Sequence, residues 1–274
     1  MTDESSLKTA KDGVSLVTEI IKAAGDNPQV KEAAGNLGHS AVTITKAINN
    51  ALLPLAAVNF AFDKAREYFS NKFQKDISEK VAHIPPENLI EPKASVAGPT
   101  LQGLAFTHEE PNLKEMYLSL LATAMDNRVS TNAHPAFVEI IKQLNSEDAQ
   151  HVKEVLESVG AIPIVQIRRV LKNNRGYHVL LTHLVHLTDD QSGEIIENPQ
   201  FPAMIDNWIR LGLVEVDYET YLTDQTSYSW VEQRPEYIRL SQSISQDEAK
   251  VEFKKGILAR TNLGKQFAQA IGLK

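Results

Sequence analysis

Between Ile84 and Leu144 the chain reads IPPENLIEPKASVAGP, then a strongly periodic apolar run, then HPAFVEIIKQL, and no other stretch constrains the fold as much. Pro85, Pro86 and Pro92 lack amide donors and push the residues before them toward extended geometry. An irregular, well-packed connector is therefore predicted over 84–99, with Ala97-Gly98-Pro99 as a turn. Asn112 and Glu115 have capping-box spacing. Behind them Leu113, Met116, Tyr117, Leu120, Leu121 and Ala124 recur at helical spacing and predict a core-facing stripe. The helix should stop near Asp126-Asn127-Arg128. A second should begin at Pro135, a favoured first helical residue, and bury Phe137, Ile140, Ile141 and Leu144.

Upstream, residues 4–24 predict an amphipathic helix ended by Gly25 and Pro28, and a short helix is expected at 28–34. The segment AVTITKAINNALLPLAAVNFAF, Ala41 to Phe62, carries Lys46 as its one charge. It is about as long as a membrane span requires, but Lys46, Asn49, Asn50, Pro54 and Asn59 interrupt it. A buried bundle helix is the leading reading, with an interfacial helix and a true span as the others. The following DKAREYFSNKFQKDISEKV continues an apolar stripe through Phe62, Ala65, Phe69, Phe73 and Ile77.

Downstream, Ser146 is expected to cap a helix opened by Glu147 and Asp148, with Val152, Val155, Leu156 and Val159 on its apolar face. IPIVQIRRVL reads as a strand or strand–helix transition, and GYHVLLTHLVHLT allows strand or helix. Residues 189–200 read as a loop. A helix with Phe201, Ile205, Trp208 and Leu211 ending at Gly212, a strand LVEVDY, strand candidates YIRL and GILAR, and a last helix with Leu263, Phe267 and Ile271 complete a winged-helix-like pattern. The expected class is mainly α, a helical N-terminal region with a small α/β, winged-helix-like C-terminal part. The expected division is residues 1–83, 84–145 and 146–274.

The run of Pro54-Leu55, IPPENLIEP, AGP, LKEMYLSLLATAMD and HPAFVEIIKQL before a Ser-Glu-Asp helix start resembles the Abi-alpha family of bacterial abortive-infection proteins, most closely over residues 40–160. The resemblance implies phage defence in a bacterial cytoplasm. It brings no catalytic residues.

Composition narrows the chemistry. With no cysteine in 274 residues there is no disulfide framework, thiolate nucleophile or zinc–thiolate site. A net charge of −7 argues against broad nucleic-acid binding. The start MTDESSLKTAKDG lacks the pattern of a secretory signal. Arg168, Arg169, Lys172 and Arg175 form the best basic cluster, read first as a solvated face and second as a contact patch for nucleic acid or phosphate. His183 and His186 would share a face only in a helix; together with His178 they read first as satisfied or interfacial histidines, so no metal and no cofactor is expected. Asp126, Arg128 and His134 would serve acid–base work if they converged, but read first as local pairing and turn support. Glu252 and Lys254 form a weak Glu-x-Lys signal. Neither a phosphate loop nor a Gly-x-Ser-x-Gly elbow is present.

The expected function is a non-enzymatic defence effector or sensor that binds a membrane or a phage-derived structure. The residues expected to do so are Ile44, Ile48, Leu52, Leu55, Phe62, Phe69 and Phe73. A protein partner encoded nearby is expected, with a lipid surface as a second partner, in a cytoplasmic protein peripheral to a membrane. The alternative is a nucleic-acid-sensing or regulatory protein using the C-terminal part. No oligomeric state follows from the sequence.

Overall fold

The structure, a computed structural model, describes residues 59–172, 176–189, 191–224, 226–244 and 249–273. The helices expected at 4–24 and 28–34, most of Ala41–Phe62 with Ile44, Ile48, Leu52 and Leu55, and the side chains of Phe62 and Arg175 lie outside what is described. Two compact units emerge. Among the described residues, one comprises 59–151 and 267–273, the other those between 152 and 266.

The first unit is helical. Helices α1 (Asn59–Asn71), α2 (Phe73–Val81), α3 (Ala94–Thr107), α4 (Pro111–Met125) and α5 (Pro135–Ile141) follow in order, and α6 (Ser146–Glu157) begins here. The centre is α4, which packs against α2, α3 and α5. Its burial runs nearly all round, from Leu113 to Met125 and including Leu118 and Ala122. The expected stripe is present but widened, as befits a helix enclosed by others.

Local expectations change at three points. Ala97-Gly98-Pro99 is not a turn but lies inside α3, with Pro99 at its sixth position. The lost Pro99 amide is outweighed by the apolar face that the helix buries through Val96, Ala97, Leu101, Leu104 and Ala105. The Asn112–Glu115 box does not form, because Pro111 is already the first helical residue. Asn112 Nδ2 instead donates to the Ser146 carbonyl (3.4 Å), and Lys80 pairs with Glu115. A reciprocal cap does form at α6, one residue earlier than expected. Asn145 Oδ1 accepts from Asp148 N (2.8 Å) and Asp148 Oδ2 accepts from Asn145 N (3.4 Å), so Ser146 is the first helical residue. Val159, assigned to the apolar face of that helix, lies beyond its end and is 98% exposed.

The second unit is built on four antiparallel strands, β1 (Ile162–Leu171), β2 (Tyr177–Val185), β3 (Val214–Asp217) and β4 (Ala249–Arg260), in the order β2-β1-β4-β3. Between the strands lie α7 (Phe201–Arg210) and α8 (Pro235–Ser243), and α9 (Asn262–Ala270) begins at the end. Val165, Ile167 and Leu184 pack with Tyr228, Trp230 and Val231 into one core cluster. YIRL, expected as a strand, is in α8. Pro235 at its first position favours a helix start, and Tyr237 and Leu240, three apart, meet the sheet from one side. Of the two strand candidates YIRL and GILAR, only GILAR is therefore in a strand. Residues 256–260 extend β4, whose charged first half pairs with β1. The fold is helical with a small α/β region, and the winged-helix arrangement is not confirmed. Among the described residues, no helix is long and apolar enough to cross a membrane.

Candidate functional site

Of the apolar residues expected to contact a membrane or partner, Phe69 and Phe73 are described, and both are buried (5% and 1% exposed). They form an aromatic cluster with Tyr68. The Phe69–Phe73 centroids are 5.1 Å apart and edge-on, and the Tyr68 ring stacks on His108 at 4.8 Å. Tyr68 donates to Asp76 Oδ2 (3.0 Å), which also takes Lys114 Nζ (3.1 Å). Burial first, and then the Asp76 charge, push the Tyr68 phenol far above its ordinary range, so it stays neutral. Pairs Lys64–Glu109 (2.7 Å) and Lys80–Glu115 fasten the outer surface. The α1–α2 pair is thus sealed to α3 and α4 by buried rings and tied at the rim by charges.

Asp126, Arg128 and His134 do not converge on a cleft. The 3% exposed Asp126 ends α4, and Arg128 binds it through Nε to Oδ1 (2.9 Å), Nη2 to Oδ2 (2.6 Å) and its own amide (3.0 Å). His134 Nδ1 accepts from Ala136 N (3.1 Å) and caps α5. The Arg128 bonds hold the Asp126 carboxyl below the usual aspartate range, ahead of the opposing effect of burial. A carboxylate with a depressed folded pKa contributes stability that is present above the unfolded value of about 3.9 and is lost as pH falls through the folded one. Far-UV circular dichroism in urea should show the wild type losing stability below about pH 4. Asp126→Asn should start about 2 kcal/mol lower at neutral pH and lose this acid dependence.

Two members of the basic cluster, Arg168 and Arg169, lie on β1. Arg168 donates from Nε to Gln166 Oε1 (2.7 Å), with its guanidinium 4.0 Å over the half-exposed Tyr177 ring. Arg169 is the next residue on β1, and strand alternation sends it to the other face. Lys172 follows β1, and Arg175 lies outside the described residues.

His178, His183 and His186 sit on or just beyond a strand, not on a helix. His183 occupies a bulge in β2 with φ +55°, a left-handed conformation rare for a residue with a Cβ. Three bonds fasten it. Its amide donates to Tyr218 Oη (3.0 Å), the same hydroxyl meets Nδ1 (3.1 Å), and Nε2 meets Asp206 Oδ1 of α7 (3.1 Å). With Tyr218 Oη accepting from the amide and donating to Nδ1, Nε2–H donates to Asp206, and both ring nitrogens are occupied. His186 stacks on Trp230 at 5.4 Å, and burial, then Arg234, lower its pKa. Among the described residues no group of three His, Cys, Asp or Glu side chains is placed to hold a metal.

Beside the clasp lies a feature that sequence reading missed. Arg234, 1% exposed, precedes α8 and makes four hydrogen bonds: Nε to Glu236 Oε2 (3.0 Å), Nη2 to Glu236 Oε1 (2.6 Å), Nη2 to Ile196 O (2.9 Å) and Nη1 to Leu187 O (3.1 Å). It lines a cleft of about 200 Å³ between β2, the 197–199 loop and the starts of α7 and α8. The only local signal is Arg-Pro-Glu, which places an acid two residues after the arginine.

The abortive infection alpha family model matches residues 65–271. The chain belongs to the abortive infection alpha family. Membership gives it an abortive-infection-type role. In this family member the matched span takes in the aromatic cluster, the Asp126–Arg128 pair, the His183 clasp and the Arg234 cleft, while Ile44 to Phe62 precede it. An uncharacterised protein from the hydrocarbon-degrading marine bacterium Alcanivorax borkumensis SK2 is similar in structure over 50% of this chain and 92% of its own, at 16% identity and a TM-score of 0.34. No curated protein matches the chain.

Proposed function

We propose that this abortive infection alpha protein acts without catalysis, as a sensor or effector whose α1–α2 region and the segment before it bind a membrane surface once released from the helical unit. The observation that carries this reading is the aromatic seal. Tyr68, Phe69 and Phe73 present one large apolar face, and what ties its rim is a set of ion pairs, Lys64–Glu109, Lys80–Glu115 and Lys114–Asp76. An exposed pair such as Lys64–Glu109 contributes little, about 0–1 kcal/mol, and weakens with salt. A trigger favours release by having higher affinity for the open state than for the closed one. A protein partner encoded nearby is one such trigger, and a phage-derived structure another. The protein is cytoplasmic in this reading and peripheral to the membrane.

Reversing two rim charges, Glu109→Lys with Glu115→Lys, sets like charges against Lys64 and Lys80 and loosens the seal. On flotation with anionic liposomes, the loosened variant is expected to rise at least several-fold more than wild type. Both forms staying in the soluble fraction would sink the membrane reading.

A second reading, nucleic-acid sensing through the C-terminal part, has one observation in its favour: Arg168 lies over the half-exposed Tyr177 ring, a pairing suited to stacking on a base. The net charge of −7 opposes it. Salt-dependent binding to single-stranded nucleic acid that Arg168→Glu abolishes would establish it over the first.

A further inference from the structure

We infer that the Arg234 cleft is a binding site for a small, uncharged, apolar molecule bearing a single carbonyl-type acceptor. The argument starts from the guanidinium. It has five N–H groups in a fixed fork, and its four bonds leave the second hydrogen of Nη1 with no acceptor among the described residues. A buried donor left unmatched is costly, and this one belongs to a residue lining an opening that a ligand can enter. The walls supply the rest of the specificity. Leu181, Leu184, Val185, Phe201, Pro199 and Pro202 give the cleft an apolar surface.

Charge is excluded by pairing. Arg234 is neutralised by Glu236, and at the mouth Arg239 is held by Glu197 through two bonds, so an entering charge has to compete with a partner already in place. His183, also at the wall, has both ring nitrogens engaged by Tyr218 and Asp206. The remaining Nη1–H is the donor that the buried guanidinium keeps available to an occupant. Size sets the class: about 200 Å³ lies below the pockets that take drug-sized ligands and suits a single substituted ring or a short branched chain. Such an occupant would touch β2, the 197–199 loop and the starts of two helices at once, and so would stabilise the sheet unit when bound. This inference does not depend on the membrane reading.

The test uses the full chain and three probes followed by ligand-observed nuclear magnetic resonance. Acetophenone has the ring and the carbonyl, ethylbenzene lacks the acceptor, and benzoate carries a charge. Acetophenone is expected to bind saturably, with half-saturation on the order of 1 mM for so small a ligand. Ethylbenzene should bind about tenfold more weakly, the worth of one hydrogen bond, and benzoate more weakly still. Pro202→Trp fills the cleft from the start of α7 and should reduce acetophenone binding at least tenfold. If circular dichroism shows that variant unfolded, Pro199→Trp fills the same space from the loop. Equal binding of ethylbenzene and acetophenone, tighter binding of benzoate, or undiminished binding to a folded tryptophan variant would each overturn the assignment.

Discussion

Arg234→Ala is expected to remove about 4 kcal/mol from the stability of the sheet unit, the largest single effect foreseen for this chain. The loss comes from several weakened or unmet groups rather than from one missing contact. Glu236, 17% exposed at its side chain, loses the guanidinium that binds both its oxygens, the Ile196 carbonyl loses its Arg234 donor, and the Leu187 carbonyl keeps only the Ile196 amide. Breaking one side of a buried pair costs far more than the pair contributes as a whole, because the survivor stays desolvated. The double variant Arg234→Met with Glu236→Gln should therefore recover part of the loss without restoring the Arg234 bonds to the Leu187 and Ile196 carbonyls. Both tryptophans of the chain, Trp208 and Trp230, lie in this unit, so urea unfolding followed by their fluorescence reads it selectively. A single variant within 1 kcal/mol of wild type would show that the guanidinium is not held as described.

Gly264→Ala should follow closely, at about 3 kcal/mol. Gly264 is the third residue of α9, and its amide donates to Thr261 Oγ1 (2.9 Å) in an N-cap, while the Thr261 amide donates to Leu213 O (3.1 Å). That cap draws the Leu213 carbonyl against the helix start. A Cβ at 264 would lie 2.0 Å from Leu213 O and 2.9 Å from its carbon. Both are backbone atoms, so the clash cannot be relieved by turning a side chain, and the cap must break or the β3 entry must shift. Gly103 poses a related case, since a Cβ there would meet the ring of the buried Tyr117 at 2.4 Å, a side-chain rather than a backbone atom. The same fluorescence assay separates the two outcomes for Gly264. An unchanged urea midpoint would mean that α9 does not start against Leu213.

Periodicity carried the readable part of the fold. Helices α4, α5 and α7 are where Leu113–Ala124, Phe137–Ile141 and Phe201–Trp208 predict them, because three-or-four spacing of large apolar residues has one good solution once a core exists. Strand β3 was equally plain, from four alternating residues after Gly212. What misled were signals of turn and strand with a local physical basis that long-range packing overrode. Gly98-Pro99 is a turn in isolation, yet the face from Val96 to Ala105 gains more by continuing as a helix. YIRL has strand composition, but Pro235 and the one-sided contacts of Tyr237 and Leu240 make it helical. The first half of β4, with Lys250, Glu252 and Lys254, looks too charged for a strand until its pairing with β1 is seen.

The candidate sites divide along the same line. Asp126 and Arg128, two residues apart, could be proposed as a pair from the chain alone, and they are one. The ring of contacts around Arg234 could not. Its carbonyl acceptors come from positions 38 and 47 residues away, and no spacing rule connects them. Nor does anything around His183 announce a left-handed backbone, since that conformation is held by Tyr218, 35 residues on. Linear order settles which residues repeat, where an amide is missing and which charges are neighbours, because those are properties of adjacent bonds. It thereby determined the helical centre of this protein and its abortive-infection-type membership. Only the tertiary structure decided that Phe69 and Phe73 are sheltered and that a buried guanidinium faces a cleft, because burial and hydrogen-bond satisfaction depend on groups the chain brings together from far apart.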